Sequence, residues 1–87
     1  MFKYTVNTLK KVEDIFGESG YTVRYEKGNF KPGYCILRDK KVVVVNKYFE
    51  TEARINTLLE ILPQIAVDES ILSEEVREFY EKTLQKT

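Results

Sequence analysis

Residues 41–46 read Lys-Val-Val-Val-Val-Asn, and this run constrains the fold more than any other stretch. Valine branches at Cβ, which disfavours a helix and suits a pleated, extended chain. Successive side chains of a strand point to opposite faces. Four valines in a row therefore make both faces of one strand apolar. Such a strand is central in its sheet, either covered on both sides or buried on one side with an interface on the other. A chain of 87 residues has little material with which to cover both. A domain of that size buries only about 60–65% of its unfolded surface, around one modest core.

The flanking segments supply the other elements. Phe2, Val6, Leu9, Val12 and Phe16 recur every three or four residues, with Ile15 beside them, which predicts a helix over 2–19. Lys10, Lys11, Glu13 and Asp14 fall mainly on its other side. Thr5 and Asn7 both suit its N-cap, and Gly20 can close it. The period then drops to two. Tyr21, Val23 and Tyr25 share one face, and Thr22, Arg24 and Glu26 the other, as in a half-buried strand. After the loop Lys27–Gly33, a second strand covers Tyr34-Cys35-Ile36-Leu37. A tight turn at Asp39-Lys40 makes it a hairpin with the valine strand.

A second helix is expected from Thr51 to Leu62, with Ile55, Leu58, Leu59 and Leu62 on one stripe and Pro63 ending it. A link through Ile65, Ala66 and Val67 leads to a third helix. Ser73 caps it, Glu74 and Glu75 fill its first turn, and Lys82 and Lys86 lie near its end, all placements that complement the helix dipole. Its stripe is Val76, Phe79, Tyr80 and Leu84. The order α-β-β-β-α-α predicts a single α+β domain over residues 1–87. Its small three-stranded sheet, antiparallel or mixed, is packed by helices.

The chain contains no histidine and one cysteine, Cys35. Serine–histidine and cysteine–histidine catalysis are thereby excluded, and a structural zinc site within one chain lacks its usual ligands. No cofactor is expected. No apolar run approaches the roughly 20 residues of a membrane helix. The stretch MFKYTVNTLKKVED lacks the apolar core of a signal peptide, so the expected location is cytoplasmic, with no membrane partner. Net charge is zero but uneven: residues 1–47 hold ten Lys/Arg against five Asp/Glu, and residues 48–87 hold four against nine. Such polarity either favours self-association or steering of a partner, or the charges interleave on the folded surface.

Residues 34–63 read YCILRDKKVVVVNKYFETEARINTLLEILP. A strand pair ends at Asn46, a spacer KYFETEA follows, and Arg54-Ile55-Asn56-Thr57 enter a helix. This resembles the core of the minimal zincin-like metallopeptidases of the ImmA/IrrE type, whose helix carries His-Glu-x-x-His. On that motif Glu60 falls on the glutamate, Leu59 on the first histidine and Pro63 on the second. Two histidines four apart reach one ion while the glutamate activates its water. The resemblance therefore implies that family's scaffold without its activity. Leu59 belongs to the apolar stripe, and Glu60 lies off it, towards solvent.

Four candidate sites remain. The stretch KGNFKPGYC (27–35) has glycines enough for a phosphate cradle, but Pro32 removes an N–H and a strand follows, not a helix. Arg24, Tyr25, Lys27, Asn29, Phe30, Lys31 and Tyr34 interleave basic and aromatic side chains, as single-strand nucleic-acid binders do. A neutral chain lacks the basic footprint of such a binder, and Tyr25 shares a face with Val23. Cys35 lies on the strand face it shares with Leu37 and is expected to be buried. Finally, Tyr48-Phe49 beside the valine strand suggests an apolar interface with another protein or a second copy, a homodimer. Lys27, Asn29, Phe30, Lys31, Tyr34, Tyr48 and Phe49 form the candidate binding surface. The function expected is a non-enzymatic interaction or regulatory domain. The alternative is a single-stranded nucleic-acid module using the first two strands and the 27–33 loop. A carboxylate-based hydrolase ranks last, because no facing pair of acids can be placed.

Overall fold

Thr5 opens the first helix. In the computed structural model, which describes residues 3–28, 30 and 33–85 (the last two by backbone alone), its hydroxyl accepts a hydrogen bond from the Thr8 amide at 3.1 Å. Helix α1 then runs Val6–Glu18. Leu9, Val12, Ile15 and Phe16 are buried, as their spacing predicts. Val6 departs from the prediction. It is 72% exposed. Phe2 lies outside the described residues. Gly20 takes a left-handed φ of +87°, which turns the chain back into β1, Thr22–Glu26.

Strands β2 (Tyr34–Leu37) and β3 (Val42–Asn46) complete a sheet of order β1-β3-β2. The valine run is thus the central strand. Of the two predicted forms the sheet is mixed: β2 pairs antiparallel with β3, and β1 pairs parallel with it. The four-residue turn Arg38–Lys41 allows the first pairing, with Lys41 at φ +53°. The second sets β1 and β2 at opposite edges of the sheet, so the end of β1 and the start of β2, both beside the carboxyl end of β3, stand about 10 Å apart and the connection arches between them. Two backbone bonds fasten this arch. The Asn46 amide donates to the Gly33 carbonyl at 3.0 Å, and the Lys47 amide to the Glu26 carbonyl at 3.1 Å. Gly33 sits at φ +118°, and a Cβ there would lie 2.5 Å from the Phe49 ring. Only glycine meets both conditions without strain.

Helix α2 runs Thr51–Ile61, and a 3-10 turn, Leu62–Gln64, follows. Pro63 is accommodated inside that turn and does not end the helix directly. The buried positions are Ile55, Leu58, Ile61 and Leu62, so Leu59 flanks the stripe at half burial. A second 3-10 turn, Glu69–Ile71, leads through buried Leu72 to α3, Glu74–Gln85. Ser73 caps α3 as predicted, its hydroxyl accepting from the Val76 amide at 3.4 Å. Its own amide and hydroxyl donate to the Glu18 carboxylate at 2.7 and 3.1 Å, which ties α3 to the end of α1. Val76, Phe79 and Tyr80 pack against the core. The predicted Leu84 side chain and Lys86 lie outside the described set.

The core lies between the helices and one face of the sheet. That face carries Val23 and Tyr25 on β1, Val43 and Val45 on β3, and Tyr34 and Ile36 on β2, all in contact with the helix residues. The molecule measures 35 × 31 × 19 Å, and its thin dimension matches two layers stacked about 10 Å apart.

Candidate interaction surface

The arch and its neighbours hold the residues singled out by the sequence, and the structure divides them. Asn29 and Lys31 lie outside the described residues. Phe30 is half-buried and folds back on Gly28, where a Cβ would stand 2.6 Å from its ring. Phe49 is half-buried on Gly33. Tyr34 packs on the core, and its hydroxyl accepts from Gln64 Nε2 at 3.0 Å. Only Lys27 and Tyr48 of the described members stand out in solvent, and the Lys47 ammonium lies 5.5 Å from the Tyr48 ring centre. Of the aromatic side chains of this region, Tyr34 and Phe49 therefore pack on the core.

Sequence reasoning missed the cluster behind the arch. The Arg54 guanidinium stacks 4.2 Å from the centre of the Tyr25 ring. Its Nε and a terminal nitrogen donate to the carbonyls of Phe49 and Lys47, each at 2.8 Å. It thus fixes the loop between β3 and α2. The Tyr25 hydroxyl donates to the Glu13 carboxylate on α1. Burial, then the bond to Glu13, holds the phenol well above its ordinary range. These contacts join three elements, and one-dimensional spacing carries no sign of them. Nearby, Glu50 and Glu52 occupy the N-terminus of α2, where an anion would otherwise be favoured.

The second face of the sheet differs from the first. Register places Thr22, Val42 and Leu37 in one row, Arg24, Val44 and Cys35 in the next, and Glu26 with Asn46 in the third. The hydrophobic residues among them, Leu37, Val42, Val44 and Cys35, do not join the helix-packed core. Leu37 is 41% exposed, while Cys35 and Val42 are half-buried. Val44 is buried at 6% although it lies outside that helix-packed cluster. The expectation of a buried Cys35 is corrected here: it does share a face with Leu37, but no helix covers that face. All three strand-associated tyrosines, Tyr21, Tyr25 and Tyr34, pack on the opposite side.

Charge follows the same division. Among the described residues the one ion pair is Arg24–Glu26, at 2.8 Å and within β1. Lys27 and Lys47 lie exposed at one end of the strands, and Lys40 and Lys41 at the other. Exposed Glu60, Glu74, Glu75, Glu78 and Glu81 lie on α2 and α3. The two halves of the sequence do not interleave into cross-layer ion pairs among the described residues.

A groove of about 310 Å³ separates α1 from α3, lined by Lys11, Asp14, Glu18, Ser73, Val76 and Phe79 among others. The Glu18 carboxylate is engaged by Ser73, and the Lys11 ammonium lies 5.7 Å from the Phe79 ring centre. Among the described residues no three Cys, Asp or Glu side chains converge as metal ligands, and no helix is long and apolar enough to cross a membrane. At the zincin-like positions, Leu59 packs against the core, while Glu60 and Pro63 are exposed. No family model, curated protein or solved structure matches the chain.

Proposed function

We propose that this chain is a non-enzymatic, cytoplasmic interaction domain whose uncovered sheet face is completed by another protein. The observation that carries this is the central strand. Val43 and Val45 are packed by helices, while exposed Leu37 and half-buried Val42 and Cys35 lie on the opposite face, outside the helix-packed core of the described residues. A sheet face that keeps apolar side chains partly exposed suits an interface. The half-buried free thiol suits a reducing compartment. The antiparallel pair β2–β3 followed by α2 also suits a zincin-like scaffold that has kept its frame and lost its metal ligands.

A single-stranded nucleic-acid module is less well supported. Stacking on a sheet needs aromatic side chains on its open face. Here the described aromatic residues of the strands face the helices instead.

The test is the native size of the full chain, tagged in its own cells, as wild type and as Leu37→Asp. The wild type is expected to elute in a complex that nuclease leaves intact, and the variant as the free chain. A complex that survives Leu37→Asp, or one that nuclease dissolves, contradicts the proposal.

A further inference from the structure

We infer that the outer edge of β2 pairs with the same strand of a second copy, joining two three-stranded sheets edge to edge. This concerns an edge of the sheet, and so goes beyond the interaction reading, which concerns a face. Hydrogen-bond parity is the first argument. In an antiparallel pair, successive residues turn their amide and carbonyl alternately towards the partner strand and away from it. The Asn46 amide donates to the Gly33 carbonyl, which makes those two residues a bonded pair. Two steps along the same register, Cys35 with Val44 and Leu37 with Val42 are bonded pairs as well. Tyr34 and Ile36 therefore turn their amides and carbonyls outward, where nothing bonds to them among the described residues. Both side chains lie on the helix-packed face yet are only half-buried, as at an open edge.

The second argument is that this edge is unguarded. Edges that stay single carry charges, proline or a bulge. Strand β2 reads Tyr-Cys-Ile-Leu in unbroken register with β3, and has none of these. The opposite edge, β1, does carry charges: Arg24 and Glu26, paired at 2.8 Å.

Register is the third argument, and it selects the occupant. A two-fold axis makes an interface self-complementary. Placed normal to the sheet at Cys35, it sets Tyr34 against the partner's Ile36, Cys35 against the partner's Cys35, and Ile36 against the partner's Tyr34. Each outward amide and carbonyl then meets its counterpart. On the helix-packed side every Tyr34 lies beside an Ile36, an aromatic and β-branched pair of the kind that stabilises sheets. On the other side the two Cys35 residues form a non-bonded pair, with Cα atoms about 4.5 Å apart. An axis at Ile36 fits less well. It sets Tyr34 against the partner's Arg38, whose carbonyl already accepts from the Lys41 amide at 3.2 Å in each chain.

The test measures the mass of the purified full chain by light scattering over a dilution series, then oxidises it with air and copper–phenanthroline. Twice the single-chain mass is expected at the concentrated end, falling on dilution. Oxidation there should convert most of the chain to a reducible dimer linked through Cys35, each pair of thiols passing two electrons and two protons to oxygen. Leu37→Cys with Cys35→Ser tests the register. Its thiols start from Cα atoms about 14 Å apart, beyond the reach of a disulfide, and should stay unlinked. Cys35→Lys sets two ammonium groups on the axis and replaces no residue of the helix-packed core. It should weaken association at least about tenfold with an unchanged circular dichroism spectrum, while Cys35→Ser should not. A single-chain mass at every concentration, a pair that Cys35→Lys leaves intact, or Leu37→Cys linking as readily as Cys35 overturns the inference. None of these outcomes decides the reading of the open face, which rests on Leu37→Asp in the native complex.

Discussion

Val43 and Val44 are adjacent in the chain and identical in side chain, yet they have different surroundings. Val43 meets the helices together with Val23, Ile36 and Ile55. Val44 lies outside the helix-packed cluster, between Arg24 and Cys35 in the sheet. The same hydrophobic driving force acts at both positions, at about 25 cal/mol per Å² of apolar area removed from water. On the first face the chain satisfies it alone. On the second face part of the area stays wet, and that remainder is available to a partner. A four-valine run in a two-layer domain therefore meets two environments: a helix-packed core and a sheet face outside it.

Substitutions break this comparison in graded steps. Phe16→Ala attacks the layer that covers the first face. It empties a fully buried site and is expected to cost about 3–5 kcal/mol, seen as a fall in the urea midpoint at unchanged m. Val43→Thr against Val42→Thr sets the two faces side by side with one added hydroxyl. At Val43 that hydroxyl is buried without an assured partner and is expected to cost about 1–3 kcal/mol. At Val42 it reaches water, and the change is expected to stay within about 0.5 kcal/mol. Equal losses at the two positions would mean the second face is covered after all.

Gly33→Ala probes the arch that holds both edges to the end of β3. It forces a side chain onto φ +118° and into the Phe49 ring, and a loss of about 1–3 kcal/mol is expected. Tyr25→Phe is milder. It removes the bond to Glu13 while keeping the ring under Arg54, and about 0.5–1.5 kcal/mol is expected. It also alters the alkaline limb of stability. The phenol is raised in the fold, chiefly by burial, so its contribution is intact below the ordinary tyrosine value of about 10. Above it the unfolded chain releases a proton that the folded chain keeps, and stability falls as pH rises. Tyr25→Phe should be the less pH-dependent protein above pH of about 10, in paired denaturation curves.

Much of the fold was legible because its signals are local. The stripe Leu9-Val12-Ile15-Phe16, the alternation around Val23 and the valine run each report their own element. The position of Val42–Val45 as a central strand followed from the same run. The parallel pairing of β1 with β3 was not readable, because the 27–33 connection is of a length that suits a hairpin or an arch equally. The site was legible in part. An interface side of the valine strand was one of two expectations, whereas Tyr34 and Phe49, which look like binding residues, pack on the core and Phe30 folds back on Gly28. Arg54 gave no signal at all: its partners, Tyr25 and two loop carbonyls, come together only through tertiary structure.

Cys35 is a natural reporter on the disputed face, half-buried beside Val44 and Leu37. The most direct measurement is its rate of reaction with a small thiol reagent in the isolated, folded chain, followed as urea is raised to just below the unfolding transition. An uncovered face predicts reaction from the native state, at a rate nearly independent of urea. A cysteine placed by Val43→Cys, in Cys35→Ser background, should react only through unfolding. If Cys35 itself reacts only as fast as the whole domain opens, both faces are core, and the docking surface does not exist.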